Sequence, residues 1–180
     1  MTKKFLIVVL RFHGDVLLTK PMIDNIKLNF QDSEIDLLVY RGTGSILEEE
    51  KAVSEIIEID SSSKENIWTR LRKEYYLWKK LRAKNYDYAF FLTTQWRVVP
   101  ISWALGKVLK AAVDDRKRRK RLWTKSFTHI FHEALERHIV MRNLSALKSL
   151  VLEIYDKNLS LDPFLLNEKH NSLRKKFTLP

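Results

Sequence analysis

The sequence predicts a doubly wound α/β domain, a parallel sheet with helices on both faces. Short, continuous apolar runs recur along the chain, the mark of strands buried on both sides. Helix-compatible stretches alternate with them, as crossover connections between parallel strands require. The 180 residues are 45% hydrophobic, enough for one real core, which excludes global disorder.

Phe5–Leu10 (FLIVVL) is the first buried strand. It ends in Arg11-Phe12-His13-Gly14-Asp15, and an apolar, helix-compatible stretch runs on to about Phe30. Pro21 lies inside that stretch, so the regular helix is expected to begin near Thr19, with Pro21 in its first turn. Ile35–Tyr40 (IDLLVY) is the second strand, Ile46–Glu50 a short helix, and Val53–Ile59 the third strand. Ile67–Lys84 reads as a long amphipathic helix, with Leu71, Tyr75, Trp78 and Leu81 on one face and basic residues opposite. Tyr88–Leu92 is the fourth strand, Val98–Leu109 a helix, Ala111–Val113 a short fifth strand and Leu135–Tyr155 a final helix. No internal repeat or low-complexity linker interrupts the pattern.

The chain has no cysteine, which excludes disulfides, a thiol nucleophile and a cysteine zinc site, and fits a reducing compartment. Lys3, Lys4 and the run Phe5–Leu10 imitate a signal peptide, but the run is too short and Arg11 and Asp15 stand where a cleavage site belongs. Nothing approaches the roughly 18 apolar residues that span a bilayer. The expectation is a cytoplasmic protein.

Charge is unevenly spread within the net +11. Residues 1–60 hold seven basic and eleven acidic side chains, whereas residues 61–142 hold twenty basic and seven acidic. The second stretch includes the unbroken six Arg116, Lys117, Arg118, Arg119, Lys120 and Arg121. Such a run is either a solvated loop or a surface for a polyanion: nucleic acid, phospholipid or phosphorylated glycolipid.

In doubly wound sheets, ligands bind outside the carboxyl ends of the strands. The loop Arg11–Asp15 is at such an end. It lacks the glycine-rich dinucleotide fingerprint, and no phosphate-loop motif occurs, which disfavours a nicotinamide dehydrogenase or an ATPase. On its own, a Gly-Asp pair after a strand is more often just a turn with a helix cap.

The segment Leu10–Pro21 nevertheless resembles the first strand–loop–helix of the lipopolysaccharide heptosyltransferases, glycosyltransferase family 9, in its Gly14-Asp15 pair followed by apolar residues, Thr19 and Pro21. Ser33–Val39 is similar to the family's second strand, and Asn85-Tyr86-Asp87-Tyr88 to the approach to a later one. His13, the stretch Leu92-Thr93-Thr94-Gln95-Trp96 and the stretch Trp123–His129 resemble the branch that adds the third heptose of the inner core. The resemblance covers nearly the whole chain.

What the resemblance implies is inverting transfer of heptose from ADP-heptose to a heptose of nascent lipopolysaccharide, without metal or other cofactor. The fold implied is the amino-terminal, acceptor-side half of a B-type (GT-B) glycosyltransferase, built from two Rossmann-like domains. Asp15 matches the family's proposed general base, for which a carboxylate near the acceptor hydroxyl is suited. His13, Gly14, Thr19, Lys20, Gln95 and Trp96 are the expected acceptor contacts, although Lys20 stands where the family usually has a small residue. Arg116, Arg118, Arg119, Arg121 and Lys125 would meet the anionic acceptor and the cytoplasmic face of the inner membrane. No nucleic acid partner is expected; the rival readings are a family member with another acceptor and a basic nucleic-acid-binding module. The expected division is residues 1–163 as the acceptor-binding domain and 164–180 as a helix or linker. Most donor contacts would belong to a second domain missing from this sequence, leaving the chain folded but inactive alone.

Overall fold

The computed structural model describes residues 2–61, 66–114, 121–132, 138–150 and 152–157. Six strands form one sheet: β1 (Lys4–Val9), β2 (Glu34–Tyr40), β3 (Glu55–Ile59), β4 (Tyr88–Phe91), β5 (Leu109–Asp114) and β6 (His129–His132). Their order is β3-β2-β1-β4-β5-β6 and every neighbouring pair is parallel. The helices are α1 (His13–Leu17), α2 (Lys20–Asn29), α3 (Ile67–Ala83), α4 (Val98–Ala104), α5 (Arg121–Ser126) and α6 (Ile139–Ser149). The chain winds outward from β1 to β3, then returns to the other side of β1 and winds outward again.

Alternation along each strand divides the core into two layers. Phe5, Ile7 and Val9 of β1 pack with Val16, Met22 and Ile26 of α1 and α2 and with Leu144 and Leu147 of α6. Leu6, Val8 and Leu10 face the other way, onto Leu81 of α3, Val98 and Ile101 of α4, and Trp123 of α5. The run FLIVVL has no polar face because it has no wet face.

Boundaries follow from local chemistry. Pro21 sits in the first turn of α2, and the Asn66 side chain accepts from Trp68 N (3.4 Å) to cap α3. Asn85 (φ 52) and Gly106 (φ 72) take the left-handed conformation just past α3 and α4, ending those helices before β4 and β5. The expected helix Val98–Leu109 is therefore shorter, and Leu109 opens β5 instead. The expected helix at Ile46–Glu50 is a single 3₁₀ turn, Gly44–Leu47. A Cβ on Gly44 would lie 2.5 Å from Ile56 Cγ2, so this turn packs as closely as its glycine allows. The last helix is described from Ile139, where the His138 ring accepts from Val140 N (3.3 Å), and it stops at Ser149.

Residues 152–157 are not helical. They are held against α2 by two asparagines. Asn25, wholly buried, donates to Pro21 O and Asp156 O and accepts from Tyr155 N and Asp156 N. Asn29 donates to Glu153 O and accepts from Glu153 N.

At the amino ends of the strands lies an ionic band. Lys3 pairs with Asp87, Lys4 with Glu34, and Lys84 with both Asp36 and Glu55, which also takes Lys80. The boundary between expected domain and linker, 163/164, lies outside the described residues.

Candidate active site

At the carboxyl end of β1, Leu10 and Arg11 carry the chain over the sheet edge. The Phe12 carbonyl accepts from Asp15 N (3.0 Å) and Val16 N (3.2 Å), which folds α1 directly onto the strand end. This turn presents Asp15, half-buried, toward a cavity of about 560 Å³. The cavity opens over the carboxyl ends of β2, β1 and β4, beside the point where the winding reverses direction, the position such sheets use for ligands. Arg11, Phe12, Tyr40, Thr93, Thr94 and Gln95 line it with Asp15.

Two guanidinium groups bear on the carboxylate. Arg11 Nη1 lies 3.8 Å from Asp15 Oδ1. Arg142, projecting from α6, feels both residues: burial first, then repulsion from Arg11, holds it below its ordinary pKa, while Asp15 pulls the other way. The far wall is fixed by Gln95, whose Nε2 donates to Leu10 O (2.9 Å) while its Oε1 accepts from Tyr40 OH. One amide thus ties the carboxyl ends of β1 and β2 to the loop after β4. Trp96 meets Trp123 edge-on at 5.7 Å, which brings α5 beside that loop.

Trp96, expected as an acceptor contact, is not part of the cavity lining, and the remaining expected contacts fall as follows. His13 and Gly14 are exposed on α1, outside the cavity lining, and a Cβ on Gly14 would meet nothing within 4 Å. Gly14 has no positive φ, so the turn does not demand a glycine for its backbone. Thr19 is fully buried and donates to Val16 O (2.6 Å). Lys20 reaches Asp24 one turn along α2 and Glu50 (3.3 Å), and does not line the cavity. Burial opposes its charge, but those two carboxylates outweigh that cost and raise its pKa. Arg121 and Lys125 are exposed on α5; Arg116, Arg118 and Arg119 lie outside the described residues.

A second groove of about 550 Å³ adjoins the first, sharing Arg41 and Ser61, and runs between β3 and α3. Asp60 anchors its rim: Arg41 Nε (2.7 Å) and Lys73 Nζ (3.3 Å) hold that carboxyl below its usual range. Arg97 bonds Asp60 O and pairs with Glu74. Sequence reading missed Arg142, Tyr40 and Arg97. They are remote from the Gly-Asp loop along the chain, and only the sheet order brings them to one edge. Among the described residues no group of three acidic or histidine side chains is placed to hold a metal ion.

A carboxylate in an open cavity walled by hydroxyls and an amide can take a proton from a hydroxyl bound there. Residues 75–178 match the model of glycosyltransferase family 9 (heptosyltransferase). The chain belongs to glycosyltransferase family 9. It is 38% identical over 143 residues to lipopolysaccharide heptosyltransferase 3 of Escherichia coli K12, covering 78% of this chain and 40% of that one. The chain thus spans about two-fifths of the length of the curated relatives it matches.

Family 9 structures share its fold. Escherichia coli WaaC with ADP-2-deoxy-2-fluoro heptose superposes with a TM-score of 0.70 at 22% identity, over 87% of this chain and 52% of that one. A family 9 transferase from Veillonella parvula gives 0.73 at 16% identity, over 99% and 50%. At these identities the likeness is one of architecture, the Rossmann-like half of a B-type glycosyltransferase.

Proposed function

We propose that this chain supplies the acceptor-side half of an inverting heptosyltransferase acting on the lipopolysaccharide inner core. The observation that carries the reading is Asp15, set by α1 at the mouth of a cavity at the switch point of a family 9 chain. The similarity to heptosyltransferase 3 supports the third inner-core heptose as its product.

In this reading the Asp15 carboxylate accepts the proton of the acceptor hydroxyl as that oxygen attacks the anomeric carbon of ADP-heptose. The new glycosidic bond forms on the face opposite the departing ADP, so configuration inverts. Arg11, which lines the cavity, keeps positive charge beside the carboxylate and contacts the anionic acceptor, as guanidinium forks do with phosphate and carboxylate. Thr93, Thr94 and Gln95 bond sugar hydroxyls. Residues 1–163 form the acceptor-binding domain, 164–180 lead to a donor-binding domain that holds ADP, and the protein works at the cytoplasmic face of the inner membrane.

The test is heptose transfer by the chain joined to a family 9 donor-binding domain. Asp15→Asn lowers kcat about 100- to 10,000-fold with KM little changed. Retention of full activity removes Asp15 as the base. The 180-residue chain alone gives no turnover; turnover at the rate of the two-domain protein overturns the half-enzyme reading.

A further inference from the structure

Helix α3 is the least covered element of its layer. Leu81 is buried and Leu77 and Trp78 are half-buried against the second core, so the inward face is accounted for. The single apolar face expected for this helix is split: Leu71 (51% exposed) and Tyr75 (61%) turn outward with Trp68 (75%), in a row at helical spacing, while Trp78 and Leu81 pack inward. Tyr75 meets its neighbour Tyr76 edge-on (ring centroids 6.0 Å), yet all three side chains of the stripe remain more than half exposed and form an apolar patch. Beside them stand Arg72, Lys79 and Arg82, all exposed and without a carboxylate partner among the described residues. The cations that α3 does pair with acids, Lys73 and Lys80, lie on its other flank, toward Asp60 and Glu55.

A helix that offers Trp, Tyr and Leu flanked by unneutralised Lys and Arg fits the interfacial zone of an anionic bilayer. Aromatic rings settle at headgroup depth, and long basic side chains reach up to the phosphates. The placement is also suitable. Arg97 and Asp60, at the carboxyl edge, hold Glu74 and Lys73, while Glu55, at the amino edge, holds Lys80. Trp68 and Leu71 are therefore at the end of α3 nearest the Asp15 cavity.

We propose that this outward face of α3 is a docking surface for an anionic lipid bilayer, seating the cavity within reach of a lipid-anchored acceptor. The surface deepens the transferase reading, on which its biological sense rests. Its test involves no sugar transfer, so either idea can fail without the other.

The experiment is co-sedimentation of the chain with vesicles of phosphatidylglycerol and phosphatidylethanolamine, against vesicles of phosphatidylcholine alone. Binding is expected to the anionic vesicles and to weaken with salt. The variant R72Q/K79Q/R82Q lowers the partition coefficient about 100-fold, at roughly 1 kcal/mol for each basic residue. Circular dichroism and the melting temperature of each variant establish that it is folded. As a second readout, brominated phospholipid quenches tryptophan fluorescence in the wild-type chain, and that quenching is lost in W68F, a change that leaves the core untouched. Equal binding to both vesicle types overturns the proposal. So does anionic binding with quenching unchanged in W68F, which would move the contact elsewhere, for instance to the run 116–121. Self-association through this face, seen as a dimer that L71A/Y75A abolishes without any effect on vesicles, overturns it too.

Discussion

Asp36 shows how much a single buried charge depends on its neighbours. Only 3% exposed, it accepts from Tyr86 OH (2.7 Å) and pairs with Lys84 Nζ (3.0 Å). Burial, and then this bond to a carboxylate, pushes the Tyr86 phenol well above its usual pKa, so it stays a donor. Asp36→Ala orphans that hydroxyl and costs about 2–4 kcal/mol, read as a lower urea midpoint. Adding Tyr86→Phe to Asp36→Ala recovers part of the loss, because no buried donor is then left without an acceptor. Lys20 has a similar lesson for sequence reading. The family resemblance implies an acceptor contact for Lys20, but a side chain's direction depends on helix phase, and Lys20 points to Asp24 and Glu50.

Between elements, two junctions stand out. The first joins 152–157 to α2 through Asn25, which makes four hydrogen bonds from a wholly buried position. Asn25→Ala leaves the Tyr155 and Asp156 amides without their acceptor and costs about 2–3 kcal/mol. Proteolysis after Asn25→Ala should cut within 152–157 before the rest of the chain. The second junction joins β3 to α3 through Glu55, whose carboxyl is held below its usual 4.5 by hydrogen bonds from Lys80 and Lys84. A depressed folded pKa stabilises above the unfolded value, and the contribution is lost as pH falls through the folded one. The melting temperature should therefore drop on acidification below pH 4.5, and Glu55→Gln should flatten that drop.

For the molecule as a whole, β1 is the centre of stability. It is paired on both sides, by β2 and β4, and all its apolar side chains are buried. Amides of β1 should be the slowest to exchange in native-state hydrogen exchange, and those of β6 at the sheet edge among the fastest. Much of this plan was legible in sequence, because strands buried on both faces need uninterrupted apolar runs, as in Phe5–Leu10 and Ile35–Tyr40. β6 was not, since its four residues, His129–His132, are too short and polar to register as a run. The same holds for α5, whose basic and aromatic residues read as part of a charged loop. Asp15 was singled out by the resemblance its loop carries; Arg142 was not, because nothing along the chain links an arginine of α6 to a turn over a hundred residues earlier.

The parallel order has an evolutionary corollary. Every strand runs the same way, so the ionic band of Lys3, Asp36, Lys84 and Glu55 is at one rim and the Asp15 cavity at the other. The two rims share no side-chain partner among the described residues. Substitutions in the Asp15 cavity should then combine additively with substitutions in the band. The residues of the cavity can change at one rim while the band at the other keeps the domain folded.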